Sequence, residues 1–90
     1  MTVEIEQLLS PADVIVGLRA PDKHALLRAL ADHMASKSNL RPEVVLTALL
    51  KREELGSTGV GNGVALPHAR LSAVQQPAGV LARLKRPIAF

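Results

Sequence analysis

Two neighbouring stretches hold the residue types that can handle a charged group. The first is Lys51-Arg52-Glu53-Glu54. The second is Gly56-Ser57-Thr58-Gly59-Val60-Gly61-Asn62-Gly63, with four glycines in eight residues, and it leads through Val64-Ala65-Leu66-Pro67 into His68. Glycine tolerates positive φ and lets a backbone come close to a ligand. Successive exposed amides in such a run can hold an anion. Imidazole is partly neutral near pH 7 and is then a competent nucleophile. His68 follows a rigid proline at an expected strand end, where functional side chains concentrate. Arg52 lies beside the glycine run and is a candidate partner for an anion.

Each feature also has a plain structural explanation. The glycine run could be a flexible connection, His68 an inert histidine, and Glu53-Glu54 a solvated pair of charges. Yet two adjacent acids at a helix C-terminus oppose the helix dipole, by a few tenths of a kcal/mol each, and local rules tend to be broken where function asks for it. Two nucleotide-binding explanations fail on context. A dinucleotide-binding loop follows a strand and opens a helix, whereas here a helix precedes and a strand follows. A P-loop ends in Gly-Lys-Ser/Thr, and no lysine occurs between Lys51 and Lys85. His24 and His33 lie nine residues apart on one expected helix. That is roughly half a revolution at about 3.6 residues per turn, so they cannot share a metal.

The elements that must position these groups can be read from apolar spacing. Ile5, Leu8 and Leu9 form a short cluster, a helix of one or two turns or an irregular lead-in, stopped by Ser10-Pro11. Val14 to Leu18 is a β-branched run and predicts a strand. Asp22 is placed to cap a helix over Lys23 to Lys37, with Leu26, Leu27, Leu30 and Met34 on its inner face. Pro42 opens a second helix that runs to about Leu55, with Val45, Leu46, Leu49 and Leu50 as its stripe and Gly56 just past its end. The glycine run then reads as a loop, Val64 to Leu66 as a strand-like triplet, Leu71 to Pro77 as a loop, and Ala78 to Leu84 as another strand. The order predicts an α/β class, a mixed β-sheet with flanking helices, in one domain over residues 1–90.

Composition narrows the function classes. Ninety residues allow one domain, and a chain of this size buries only about 60% of its unfolded surface. There is no cysteine, tryptophan or tyrosine, and Phe90 is the one aromatic residue. The formal charge is +3 and the isoelectric point is near 10.0, which invites a nucleic-acid partner. Readers of single strands stack bases on aromatic platforms, which this chain lacks, so nucleic acid is not expected. The charge is also uneven. Residues 1–54 hold seven Lys/Arg against eight Asp/Glu, and residues 55–90 hold four Lys/Arg and no acid. No apolar run approaches the roughly 18 residues of a membrane span, and the acids near Met1 do not suit a signal peptide. A cytoplasmic protein without membrane insertion is expected. The chain ends on the apolar tetrapeptide Pro87-Ile88-Ala89-Phe90. Because termini usually lie at the surface, the expectation is a domain incomplete at its C-terminus, with Phe90 a core residue whose partners lie outside the chain.

The run from Leu50 through Arg52, Gly56, Gly59, Gly61, Gly63 and Pro67-His68 to Arg70 resembles the active-site signature of enzyme IIA type 2. These are the fructose/mannitol-type and nitrogen-regulatory domains of the bacterial phosphoenolpyruvate:sugar phosphotransferase system. About twenty contiguous residues carry the match, and the lead-in and the segment from Arg83 to Phe90 are similar to the family as well. The resemblance covers roughly the first three-fifths of such a domain, and Ala69-Arg70 stands where many members have Gly-Lys. It implies that His68 accepts a phosphoryl group from the phosphohistidine of an HPr-type carrier. The acceptor would then be a IIB domain or a regulatory protein. It implies that Arg52 lies near the phosphoryl group, with Ser57, Thr58 and Gly59 as further hydrogen-bond donors, and that no metal, nucleotide or other cofactor takes part. The lead-in sequence leans toward the nitrogen-regulatory type over sugar uptake. The alternative is a non-catalytic fragment that keeps only partner binding.

Overall fold

The computed structural model describes residues 9–72 and 78–90. The lead-in residues Ile5 and Leu8 and the loop residues 73–77 lie outside them. A single 3-10 turn, Pro11–Asp13, enters strand β1, Val14–Leu18. Helix α1, Lys23–Ser38, and helix α2, Pro42–Glu54, follow. Then come β2, Gly59–Gly61, β3, Val64–Ala65, and β4, Leu81–Leu84.

The helix boundaries follow the expected chemistry. Asp22 caps α1 by accepting the Ala25 amide at 2.8 Å. Asn39 takes a left-handed conformation at φ 57° and ends the helix, where its short polar side chain tolerates that geometry. Pro42 stands in the first turn of α2, and Gly56, just past its C-cap, has φ 148°.

The buried face of α1 differs from the expected stripe. Leu26, Leu27, Ala31 and Ala35 are buried, while Leu30 and Met34 are only half-buried. The alanines matter because small side chains let the second helix come close. Leu27, Ala31 and Ala35 form one cluster with Val45, Leu46 and Leu49 of α2. This helix–helix contact is the core, and α2 is therefore held rigidly where its C-terminal turn carries Arg52 and Glu53.

The strands form two separate pairs rather than one mixed sheet among the described residues. β1 and β4 run parallel, with Val14 opposite Leu81 and Ile15 opposite Ala82. The glycine run is not a loop. Gly59–Gly61 pairs antiparallel with Val64–Ala65, and Asn62 and Gly63 turn between them at φ 57° and 75°. Positive φ at both central residues is the hairpin turn that Asn-Gly favours, because its twist matches that of the strands. The Leu66 amide then donates to the Thr58 carbonyl at 2.9 Å, extending the closure of the hairpin by one more bond. The last strand begins at Leu81 rather than Ala78.

Phe90 is the last described residue. It is half-buried and packs against the helical core. Its main-chain oxygen accepts Lys23 Nζ at 3.0 Å and Ser57 Oγ at 3.2 Å. The Lys23 ammonium lies 4.4 Å from the ring centroid, a cation–π arrangement. Within the chain its neighbours are the helical core, Lys23 and Ser57.

Candidate functional site

The last turn of α2 and the segment after β3 converge on His68. Arg52 Nε donates to His68 Nε2 at 3.2 Å. Arg52 Nη1 donates to the Gly56 carbonyl at 2.9 Å, so the planar fork is held at two points. On the other side of the ring, His68 Nδ1 lies 2.9 Å from the Leu66 carbonyl. A carbonyl can only accept, so Nδ1 carries the proton. A guanidinium N–H can only donate, so Nε2 offers its lone pair. Two independent contacts therefore select the same neutral tautomer, with the proton on Nδ1 and the lone pair on Nε2. His68 is exposed and borders a shallow cavity of about 430 Å³ shared with Ala48, Lys51, Arg52, Leu55 and Arg70. Three cations around an open imidazole make a place for a dianionic group.

Glu53 does what the sequence alone did not suggest. Its side chain is 7% exposed. One oxygen pairs with Lys23 Nζ at 2.7 Å and accepts the Thr58 amide at 2.9 Å. The other accepts the Thr58 hydroxyl in a short hydrogen bond. One carboxylate thus pins the start of the hairpin to the end of α2, and Lys23 ties both to Phe90. Without it the hairpin would hang on its own few ladder bonds, and so would the approach of His68 to Arg52. Burial disfavours the charged form of Glu53, but the hydrogen bonds from Lys23 and Thr58 and the Lys23 charge outweigh it and hold the carboxyl at about 2, below its ordinary 4.5.

A second cluster lies at the opposite end of α1. Asp13 accepts Lys37 Nζ at 2.7 Å and pairs with His33 Nε2 at 2.9 Å. Ser10 also donates to it from its amide at 2.9 Å and its hydroxyl at 3.0 Å. The Lys37 contact above all, then the Ser10 amide and His33, holds the Asp13 carboxyl well below the usual range. His33 is thus engaged with Asp13 on a different element from His68.

These shifts predict an acid limb of stability. Both carboxyls ionise more easily folded than unfolded, so the unfolded chain binds more protons in acid. The stability they contribute is complete above about pH 4.5 and is lost progressively as pH falls towards 2. Thermal midpoints measured across that window should fall steadily. Glu53→Gln should flatten the fall. At neutral pH it should cost about 2 kcal/mol, because the ion pair is lost and a buried donor is left poorly satisfied; chemical denaturation reads this directly.

Arg52 and His68, the residues that sequence reasoning placed at the centre, are in direct contact. Ser57, Thr58 and Gly59 are engaged elsewhere. Ser57 Oγ donates to Phe90 and accepts the Gly59 amide at 3.1 Å, while both donors of Thr58 go to Glu53. Glu53, Lys23 and the Leu66 carbonyl were missed as site residues. Glu53 had a local signal, an acid set against the helix dipole, but its role depends on Lys23, thirty residues away; no local pattern marks Lys23 or the Leu66 carbonyl. The hairpin did have a signal, the Asn62-Gly63 dipeptide.

Residues 7–90 match the family described as phosphoenolpyruvate-dependent sugar phosphotransferase system, EIIA 2. The chain is 38% identical over 86 residues to a nitrogen regulatory protein of Bradyrhizobium diazoefficiens, covering 96% of this chain and 56% of that protein. It is 35% identical over 89 residues to the nitrogen regulatory protein of Pseudomonas aeruginosa, covering 98% of this chain and 58% of that one. The crystal structure of nitrogen regulatory protein IIA-Ntr from Neisseria meningitidis superposes with a TM-score of 0.89 at 32% identity, over 93% of this chain and 57% of that chain. The chain thus spans under three-fifths of the length of these relatives. Among the described residues, no helix is long and apolar enough to cross a membrane.

Proposed function

Because the chain belongs to the EIIA type 2 family of the phosphoenolpyruvate-dependent sugar phosphotransferase system, we propose that it is a phosphohistidine carrier of the nitrogen-regulatory type. His68 Nε2 accepts the phosphoryl group from the phosphohistidine of an HPr-type protein in the cytoplasm. The group then serves as a regulatory state read by a partner protein, or passes to a IIB-type acceptor. The observation that carries this reading is the contact of Arg52 Nε with His68 Nε2 while Nδ1 is tied to the Leu66 carbonyl.

The step balances without a proton relay. The donor's P–N bond breaks as a P–N bond to Nε2 forms, and His68 Nδ1 keeps its proton against the Leu66 carbonyl. The donor ring, protonated on its other nitrogen, leaves as neutral imidazole, and the positive charge it gives up passes to the His68 ring, which now holds the Nδ1 proton and the Nε2–P bond. Arg52 Nε gives up the lone pair it now covers and turns its hydrogen to a phosphoryl oxygen, with Nη1 on Gly56 limiting the movement. Such transfers ask for positioning and charge stabilisation rather than covalent help. Ser57 Oγ and the Gly59 amide exchange their present partners for phosphoryl oxygens. Thr58 acts through Glu53 as a positioning residue.

The nitrogen-regulatory type is supported by the relatives that bear that name. Incubating the chain with phosphoenolpyruvate, enzyme I and an HPr-type carrier is expected to yield an acid-labile, base-stable phosphate on it. Its absence, with the donor phosphorylated and the chain folded, would sink the proposal.

A further inference from the structure

The parallel pairing of β1 with β4 has a consequence away from His68. It brings Arg19, just past the end of β1, together with Lys85 and Arg86, just past the end of β4. The Lys85 amide donates to the Leu18 carbonyl at 2.7 Å, so the two strand ends are tied where the cations begin. The three residues line, with Ala20 and Pro21, a cavity of about 440 Å³. The cavity lies beyond the carboxyl ends of β1 and β4, the side on which open α/β sheets bind ligands.

The charges are unbalanced. Among the described residues, Arg19, Lys85 and Arg86 form no ion pair and no side-chain hydrogen bond. The nearest acid in the sequence, Asp22, directs its carboxylate to the Ala25 amide at 2.8 Å as the cap of α1. Clustered like charges repel, and an anion relieves that repulsion. Two guanidinium forks and an ammonium suit phosphate oxygens, which arginine can meet through two parallel hydrogen bonds. The apolar wall of Ala20 and Pro21 leaves room for an organic part of the ligand.

We propose that this cavity is a second anion site, for a soluble small molecule carrying two or more phosphate groups. The site is separate from the Lys51, Arg52 and Arg70 cations around His68 and does not depend on phosphoryl transfer there. In a regulatory protein it would give an effector a place to act.

The test is a titration of the isotope-labelled chain with sodium tripolyphosphate at physiological ionic strength, followed by amide resonances. The expected result is saturable shifts at Arg19, Ala20, Lys85 and Arg86, with affinity lowered about tenfold or more in Arg19→Gln/Lys85→Gln/Arg86→Gln. Arg86→Gln alone, expected to weaken binding by a smaller factor, keeps the test open if the triple variant fails to fold. Orthophosphate should bind clearly more weakly. Shifts confined to Lys51, His68 and Arg70, or unchanged in the variants, would overturn the proposal. So would orthophosphate binding as tightly as tripolyphosphate. Capture of the chain by phosphatidylglycerol vesicles, or by a single-stranded RNA, without competition from tripolyphosphate would also overturn it, in favour of a membrane or nucleic-acid surface.

Discussion

His68→Ala should carry no phosphoryl group after incubation with phosphoenolpyruvate, enzyme I and an HPr-type carrier, while His24→Ala is labelled like the parent chain. The difference follows from geometry rather than residue type. His68 Nε2 is a lone pair aimed at a guanidinium, with its tautomer set by the Leu66 carbonyl. His24 is exposed on α1. Removing a covalent acceptor leaves no route by which the remaining groups can store the phosphate, so the label falls to background rather than to a fraction. His68 is exposed and outside the hydrophobic cluster, so the thermal midpoint of His68→Ala should stay near that of the parent. Label persisting on His68→Ala would place the acceptor elsewhere.

Arg52→Ala should slow phosphoryl transfer by about 10²–10³-fold, the usual effect of removing one preorganised donor from developing charge. Arg52→Lys should recover only part of the rate. Lysine keeps the charge, but it has no planar fork that can hold Gly56 with one nitrogen and face His68 with another. The loss should appear in the transfer rate at saturating donor, because Arg52 is aimed at the reacting nitrogen. A loss confined to the half-saturating donor concentration would instead make Arg52 a docking residue. Quench-flow measurement with phosphorylated donor separates the two.

Much of this molecule is legible in the sequence. Asp22, Pro42 and Gly56 punctuate the helices by local chemistry, so both helices begin where their caps predict. The pairing of Arg52 with His68 could be anticipated because both flank one contiguous signature. The inner face of α1 was legible only in part. Periodicity cannot distinguish a leucine at the edge of a helix contact from an alanine at its centre, and Leu30 and Met34 yielded the centre to Ala31 and Ala35. The hairpin had one local signal, Asn62-Gly63, but its strands were hidden because glycines give no alternation of apolar and polar side chains. Its short strands are held by an Asn-Gly turn and by Thr58 bonding to Glu53 rather than by strand propensity.

The amino-acid sequence by itself determined the family signature, the helices and the identity of the one histidine that follows a proline beyond a glycine run. These depend on groups close together in the chain, and local conformational preference acts over a few residues. Only the tertiary structure decided which nitrogen of His68 faces Arg52 with its lone pair, because that depends on where a carbonyl and a guanidinium lie in space. It also turned Glu53 from one of two seemingly solvated acids into the pin between Lys23 and Thr58. It seated Phe90 against the helical core, and it gathered Arg19, Lys85 and Arg86 around one cavity through the pairing of the first strand with the last.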